Sequence, residues 1–366
     1  MFGSILIFIL VLSVLVIVHE AGHFFMAKRA GLLVEEFGFG IPPRIFGKKI
    51  GETIYSLNLF PFGGFVRLNG ENSEEGVTDP KRAFITQSKK TRVSIIVAGG
   101  LMNFILAIVA FAAVYTVTGV PKDTNDVKVI EVAKGTPAET AGFLVDDVIV
   151  KINGKSVADN KGFIEAVKEV SDKELVFLVK RGSEEKELKA TSRSNPPEGE
   201  GALGVVISTV SIYFPPIWQR PFVGVFYGFK EAIFWTQMIA VGLFGMIAGL
   251  FRGVVPKDVA GPVGIYALTS QAASYGIMSL INFMGVLSVN LAILNILPFP
   301  ALDGGRLLFI FLEKIIGRKV LPKVESIIHM AGMAILMLLL FAITFSDIKH
   351  LIAAGGVAGF LENLVK

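Results

Sequence analysis

The sequence His-Glu-Ala-Gly-His occupies residues 19–23, inside an apolar segment that extends over residues 1–26. Residues four apart share one face of a helix, so His19 and His23 can hold one metal ion while Glu20 stands beside it as a base. Ionisable side chains are costly at the centre of a membrane helix, and where they occur they usually serve a function. The motif therefore predicts a helix that carries hydrolytic zinc chemistry within a lipid bilayer.

The alternative interpretation of this segment is a cleaved signal peptide with two stray histidines. A signal peptide needs a basic first region, a short apolar core and a cleavage site of small residues. No Lys or Arg precedes Lys28, and the apolar run is longer than a usual signal-peptide core. These features favour a membrane-spanning helix.

The composition supports a membrane protein. Of the 366 residues, 52% are hydrophobic and 30 are Phe. The net charge of +4 is modest, and no basic stripe is interleaved with aromatic residues, so nucleic acid is not an expected partner. The absence of Cys excludes disulfides, cysteine zinc ribbons and a thiol nucleophile.

Four segments are long and apolar enough to span about 30 Å of hydrocarbon. They cover residues 2–26, 93–117, 277–297 and 327–345. A fifth apolar segment, 222–250, contains Lys230, Glu231 and Gln237. We expect that segment to be an amphipathic or re-entrant element at the outer leaflet.

Charge asymmetry predicts how the spans are oriented. Residues 27–92 hold eleven Lys or Arg against seven Asp or Glu. The connection between the last two spans adds Lys314, Arg318, Lys319 and Lys323. Both loops are expected in the cytoplasm by the positive-inside rule, which places the N-terminus and residues 119–276 outside. Two crossings by 222–250, or none, preserve this arrangement.

Residues 121–210 have the pattern of a small soluble α/β domain. Strands are predicted at 127–132, 146–152, 174–180, 185–191 and 201–207, with a short helix after 135–139 and another at 161–170. The predicted organisation has a first membrane part (1–118), an extracytoplasmic domain (119–210), an extracytoplasmic amphipathic or re-entrant segment (211–276) and a second membrane part (277–366).

A catalytic zinc ion needs a third protein ligand and one open position. Asp303 is the leading candidate, because it follows a helix break and ends the third span at the depth of His19. The alternative is a polar turn residue at a helix boundary. Glu20 would then be the base beside the metal, and His329 and His350 are expected to be interfacial or solvated residues.

Two asparagines lie in apolar spans. Asn295 could hold the substrate backbone or an oxyanion, and an interhelical hydrogen bond explains it equally well. For Asn103 the structural interpretation is favoured. The neighbouring Gly99 and Gly100 are expected to allow close helix packing.

Taken together, these motifs resemble the site-2 protease family of intramembrane zinc metalloproteases, in its RseP-like bacterial branch. The motif at 19–23 continues into a matching stretch at 31–40. The family's NxxPxPxLDGG sequence corresponds to residues 295–305, and its GPVGI stretch to 261–265. The soluble region resembles a PDZ domain. The resemblance covers nearly the whole chain.

The resemblance implies a mainly α polytopic membrane protein with four transmembrane helices, an inserted PDZ domain and a membrane-re-entrant β-hairpin. It implies zinc as cofactor, His19, His23 and Asp303 as its ligands, and Glu20 as catalytic base. It also implies substrate-binding residues: Asn295, the hairpin residues Gly63, Gly64 and Phe65, and the PDZ residues Leu203, Gly204 and Val205.

The chain departs from the family pattern in four places. It has a single PDZ domain, where the enterobacterial member has two. Gly100 stands where the family has Pro, and Arg306 stands where His is frequent. Ser346-Asp347 replaces an Asn-Asp pair. None of these positions is an expected zinc ligand, but the single PDZ domain argues against a size filter that needs two.

The implied function is cleavage of single-span membrane proteins in the bacterial inner membrane, by a multi-pass enzyme with no obligate protein partner evident. Anti-sigma factor release and clearance of signal-peptide remnants are the family's known uses. A non-catalytic membrane scaffold that binds protein termini is the alternative, and it predicts loss of Glu20 or a ligand. A metal transporter would need more polar residues in the second and fourth spans.

Overall fold

The chain forms two compact units in a computed structural model that describes residues 2–71, 77–170, 172–197, 200–253, 260–318, 322–357 and 359–360. One unit, the helical unit, comprises residues 1–118 and 216–366, and the other, the inserted domain, comprises residues 119–215. Lys319, one of the basic residues used to predict orientation, lies outside the described residues.

The helical unit is built from seven helices and one β-hairpin over the part of the chain described. Its elements, numbered along the whole chain, are α1 (Phe2–Arg29), β1 (Val34–Ile50), β2 (Thr53–Leu68), α2 (Lys89–Thr118), α5 (Arg220–Phe251), α6 (Pro262–Ser274), α7 (Ile277–Ile296), α8 (Asp303–Ile316) and α9 (Pro322–Ala353).

Five of these helices are long and apolar enough, by length and composition, to cross a membrane: the four predicted spans and α5. The fifth, α5, is a single uninterrupted helix of 32 residues over the segment that was expected to be amphipathic or re-entrant. The charged side chains of α5 have partners close to them in the structure. Lys230 lies over the rings of Phe226 and Tyr227, and Glu231 accepts hydrogen bonds from Tyr115 and Trp235. A polar residue with such partners does not interrupt an apolar helix.

The helices α1, α5 and α7 all run antiparallel to α2. In α1, His23 contacts Ile95 while His19 faces Asn103. In α7, Gly285 packs on Phe111, and a Cβ at Gly100 would contact the carbonyl of Ala292. In α5, Gly224 and Gly228 pack in sequence along α2 from Thr116 towards Ile108. Consequently α1 and α7 end at the same end of α2.

The chain turns back between α5 and α7, and α6 lies in this return. Tyr266 of α6 packs edge-on against Phe8 of α1, at a centroid distance of 5.8 Å. Asp347 of α9 accepts a hydrogen bond from the Gly264 amide at 2.9 Å, which satisfies a free N–H in the first turn of α6. The buried carboxylate thus stabilises the start of a short helix.

The β-hairpin packs against α1, and the turn between its strands also lies beside this helix, since Glu52 pairs with Lys28 at 2.6 Å. Residues 34–40 alternate between buried and half-buried positions, whereas residues 41–50 are exposed. Phe24 of α1 packs against Phe37 and Tyr55, at centroid distances of 5.3 and 6.0 Å. Residues 36–39 pair antiparallel with 64–67 on one side and with 54–57 on the other, and residues 44–50 pair with 53–58. The hairpin therefore folds back on itself beside α1.

The inserted domain is an antiparallel sheet with two short helices. Its elements are β3 (Val120–Val132), α3 (Pro137–Ala141), β4 (Val148–Ile152), β5 (Lys155–Ser156), α4 (Asn160–Lys168), β6 (Glu174–Arg181), β7 (Glu184–Thr191) and β8 (Val205–Tyr213). The strand order is β7-β6-β4-β3-β8, with β5 beside β4. The strand predicted at 201–207 begins only at Val205, because Gly204 has a φ of 75°.

An ion pair joins the buried Asp147, just before β4, to the half-buried Arg181 of β6. Both carboxylate oxygens of Asp147 accept hydrogen bonds from Arg181, at 2.7 and 2.8 Å, and one also accepts from the Leu144 amide at 2.9 Å. Burial alone would raise the pKa of Asp147, but these hydrogen bonds outweigh it and hold the pKa below its ordinary value. Because the depressed pKa belongs to the folded state, the stabilisation is present above about pH 4 and is lost as pH falls.

Replacing Asp147 with Asn is expected to lower the stability of the inserted domain by about 2 kcal/mol at neutral pH. In the variant, the part of the acid-induced loss of stability below about pH 4 that comes from Asp147 should disappear. Opening free energies from amide hydrogen exchange of residues 120–213 in the full-length protein measure both effects. An unchanged pH profile in the variant would show that the pair does not couple folding to pH.

Candidate active site

Three ligand atoms from two helices converge on one point. His19 and His23 lie one turn apart on α1, and Asp303 is the first residue of α8. The two Nε2 atoms are 3.2 Å apart, and they lie 3.1 and 3.2 Å from Oδ2 of Asp303. The structure therefore brings together the three residues that were predicted as metal ligands.

The chemistry of this group fits a zinc ion. The Oδ2 atom of Asp303 is buried and has no hydrogen-bond donor in the described structure. Two imidazole nitrogens and a carboxylate oxygen are common zinc ligands. Tetrahedral ligands at about 2.0–2.1 Å from an ion lie roughly 3.4 Å from one another, close to the separations found here. A cation would satisfy all three atoms at once.

The second ring nitrogen of His23 is held by a main-chain carbonyl. Its Nδ1 lies 2.8 Å from the carbonyl oxygen of Ile95 in α2. Since a carbonyl only accepts, Nδ1 carries the proton and Nε2 is left with its lone pair directed at the metal position. The carbonyl thereby selects the tautomer that can bind a metal.

Two glycines allow α1 and α2 to come together at the site. A Cβ at Gly22 would overlap the carbonyl of Ala98, and a Cβ at Gly99 would overlap the imidazole Nε2 of His23. The helices therefore cross without side chains between them, and the ligands face α2 directly. The close packing predicted for Gly99 is confirmed, and its reason is the position of the histidines.

Asp303 is placed by a break between α7 and α8. The helix α7 ends at Ile296, and Ala301 has a φ of 81° in the turn that follows. A Cβ at Gly304 would overlap the carbonyls of Ile296 and Leu297, and a Cβ at Gly305 would overlap the carbonyl of Phe299. The Asp-Gly-Gly sequence thus lets α8 start directly against the end of α7.

His329 has a structural role in this turn. Its Nδ1 accepts a hydrogen bond from the Ala301 amide at 3.0 Å. It is half-buried and lines the cavity that also reaches Asp303, so it is not the solvated residue that the sequence suggested.

Glu20 faces a cavity of about 830 Å³ that also reaches His23 and Asp303. The hairpin runs past this carboxylate, since a Cβ at Gly64 would lie 3.4 Å from Cγ of Glu20. Phe65, the next residue of β2, lines the same cavity. The cavity therefore places a carboxylate, the ligand cluster and a strand next to one another.

Two pairs of oppositely charged side chains also line the cavity. Arg306, which follows the Asp-Gly-Gly sequence, pairs with Glu71 at the end of the hairpin. Arg92 of α2 pairs with Glu313 of α8 at 2.9 Å, and both side chains are buried. These pairs could not be predicted from the sequence, because the partners are more than 200 positions apart along the chain.

The other predicted substrate residues are not gathered at the ligand cluster. Asn295 is half-buried in α7 and is not among the residues that line the cavity. Gly63 lies in β2 with a φ of 85°, and a Cβ added to it would lie 4.0 Å from the side chain of Ile41. Leu203, Gly204 and Val205 belong to the inserted domain, where Leu203 is in the core and the Gly204 carbonyl accepts from the Ala133 amide at 2.9 Å.

The chain matches the family model described as peptidase family M50 over residues 7–339. The zinc metalloprotease RasP of Oceanobacillus iheyensis is 31% identical, over 95% of this chain and 99% of that protein. The regulator of sigma-W protease RasP of Bacillus subtilis is 30% identical, with the same coverage. The RasP zinc metalloprotease of Geobacillus kaustophilus is 30% identical, over 94% of this chain and 98% of that protein.

A PDZ domain of the SdrC-like protein of Listeria monocytogenes is similar in structure to a part of the chain. The two are 18% identical, and the match covers 23% of this chain and 87% of that domain, with a TM-score of 0.21.

A zinc-type ligand set beside a carboxylate, carried on apolar helices, defines the class of membrane zinc metalloproteases. The chain belongs to peptidase family M50, the site-2 protease family.

Proposed function

We propose that the chain hydrolyses a peptide bond within or near the transmembrane segment of single-span membrane proteins. In this proposal His19, His23 and Asp303 bind the zinc ion and Glu20 is the catalytic base. The observation that carries the proposal is the convergence of the ligand cluster, Glu20 and strand β2 at one cavity.

Glu20 acts as a proton carrier in this mechanism. The zinc ion, when bound, supplies Lewis acidity towards water and the scissile carbonyl. The Glu20 carboxylate accepts a proton from the attacking water and passes it to the amide nitrogen as the C–N bond breaks. Because Glu20 is the next residue after His19, its side chain leaves α1 on an adjoining face and reaches the cavity without joining the ligand set.

The substrate is expected to bind as an extended strand beside the hairpin. A helical substrate hides its amide groups, so the segment that is cut must unwind, and pairing with a strand satisfies its backbone in the membrane. Gly63, Gly64 and Phe65 are the hairpin residues that we assign to this pairing, since Gly64 and Phe65 lie beside Glu20 and the cavity. Asn295 is proposed to hold the substrate backbone from α7.

The inserted domain is proposed to be a PDZ domain on the extracytoplasmic side of the bacterial inner membrane. Its proposed contact with a substrate terminus is at Leu203, Gly204 and Val205, where the loop leads into the edge strand β8. The name of the Bacillus subtilis relative refers to sigma-W. We therefore include membrane-tethered anti-sigma factors among the proposed substrates, together with remnant signal peptides.

Removal of the metal is expected to abolish cleavage of a model single-span substrate, and added zinc should restore it. The measurement uses the purified full-length protein in detergent, treated with a chelator and then with zinc, and follows product formation by electrophoresis. Cleavage that continues at the original rate in zinc-free protein would contradict the proposal. A non-catalytic scaffold predicts binding of the substrate without cleavage under every condition.

A further inference from the structure

Asn103 is a completely buried amide in the middle of α2. Its Nδ2 atom lies 3.5 Å from Nδ1 of His19, and its Oδ1 atom has no hydrogen-bond partner in the described structure. An unpaired buried amide oxygen is destabilising. The presence of this side chain in an apolar helix therefore requires an explanation.

The packing of α2 against α7 does not supply that explanation. At this level the two helices are joined by the Ser288 hydroxyl, which donates to the main-chain carbonyl of Asn103 at 2.7 Å. That bond would form with any residue at position 103. The side chain itself faces α1 and His19, so the interhelical hydrogen bond that was expected of Asn103 joins α2 to a predicted zinc ligand and not to α7.

The partners of the two histidines are arranged symmetrically on α2. Ile95 and Asn103 lie two turns apart, on either side of Gly99, and they face His23 and His19 respectively. The Ile95 carbonyl accepts the Nδ1 proton of His23. A metal on Nε2 of His19 requires the same tautomer, so His19 also needs an acceptor at Nδ1.

We propose that Asn103 is a positioning residue for His19 and accepts its Nδ1 proton through Oδ1 when zinc is bound. A half-turn of the amide exchanges the oxygen and nitrogen positions, which have nearly the same shape. A closer approach of a few tenths of an ångström would bring the pair into the usual hydrogen-bond range. In the orientation found here, the amide N–H faces Nδ1 of His19, an arrangement that suits the tautomer without a proton on Nδ1.

An asparagine suits the site both with and without zinc, because its amide offers a donor and an acceptor on one group. Leucine, of similar size, offers neither. This inference rests on the proposed function only in assuming that His19 binds zinc through Nε2.

The zinc affinity of three variants tests the inference. Asn103→Leu is expected to weaken zinc binding by about 10- to 100-fold, the usual effect of losing a partner of a metal-binding histidine. Asn103→Asp, which keeps an acceptor, should stay within a few-fold of wild type. Ser288→Ala is the matched control, since it removes the contact of α7 with residue 103 but leaves His19 untouched. Competition with a chelator gives the affinities, and the absorption spectrum of the cobalt-substituted protein reports the ligand geometry.

Wild-type zinc affinity in folded Asn103→Leu would overturn the inference. Equal losses in the Leu and Asp variants, with normal Ser288→Ala, would also overturn it, because packing rather than the acceptor would then be responsible. If the Leu variant does not fold, Asn103→Ala carries the same expectation. Asp303→Asn tests the ligand set separately from the role of Asn103. Full zinc binding by that variant would refute the proposed ligand set, whatever the Asn103 variants show.

Discussion

Replacing Glu20 with Gln is expected to leave zinc bound and to reduce cleavage by about 10²- to 10⁴-fold, the range for loss of a general base. Glutamine keeps the size of the side chain but cannot accept the proton of the attacking water. The ligand cluster of His19, His23 and Asp303 does not include Glu20, so metal content should not change. Zinc per protein is measured by elemental analysis, and cleavage with a model single-span substrate.

The matched control is Glu71→Gln, at another carboxylate that lines the same cavity. Glu71 pairs with Arg306 and lies apart from the ligand cluster. Its loss should change the rate much less than the loss of Glu20. Equal cleavage by wild type and Glu20→Gln would remove Glu20 from the mechanism, and equally large losses in both variants would point to the charge of the cavity rather than to one base.

The ligand cluster was predictable from the sequence because its determinants are local or depend only on helix direction. The spacing of His19 and His23 places both on one face of any helix that forms there. Asp303 follows from the direction of the spans, since α1 and α7 run the same way and end at the same level. Neither step needs knowledge of side-chain packing.

The nature of α5 was not predictable from residues 222–250 taken alone. Lys230 and Glu231 suggested a surface element, but their partners include Tyr115 of α2, which is distant in sequence. The same limitation applies to Asn103, which was assigned an interhelical role. Which neighbour an amide faces depends on how α1 and α2 cross, and that crossing is set by Gly22 and Gly99.

The extent of the hairpin was also beyond the sequence. Its strands contain 17 and 16 residues, with Gly and Pro throughout, and the pattern of alternation covers only the first half of β1. By contrast, β4, β6 and β7 of the inserted domain were located to within two residues, whereas β3 begins and β8 ends six or more residues beyond the predicted segments. Alternation is regular in β6, where one sheet face is buried, and the exposed second half of β1 lacks that constraint.

Replacing Gly99 with Ala is expected to abolish zinc binding at the site. The added Cβ would overlap Nε2 of His23 and would lie 2.6 and 2.7 Å from Cε1 of His23 and His19. Real Cβ atoms do not approach other atoms so closely, so the imidazole rings or the helices must shift. A ligand set tolerates little displacement, because zinc–nitrogen distances are confined to about 2.0–2.1 Å. Metal content of the purified variant measures the effect.

Gly100→Ala is the matched control for this prediction, one residue further along the same helix. A Cβ at Gly100 would lie 3.3 Å from the Ala292 carbonyl, a contact that a shift of a few tenths of an ångström relieves. That variant should bind zinc normally and cost only a little stability. If both variants kept zinc, the close approach of α2 to the histidines would not be required for the site. If both lost it equally, the cause would be general packing between α2 and its neighbours, and Gly99 would have no special relation to the ligands.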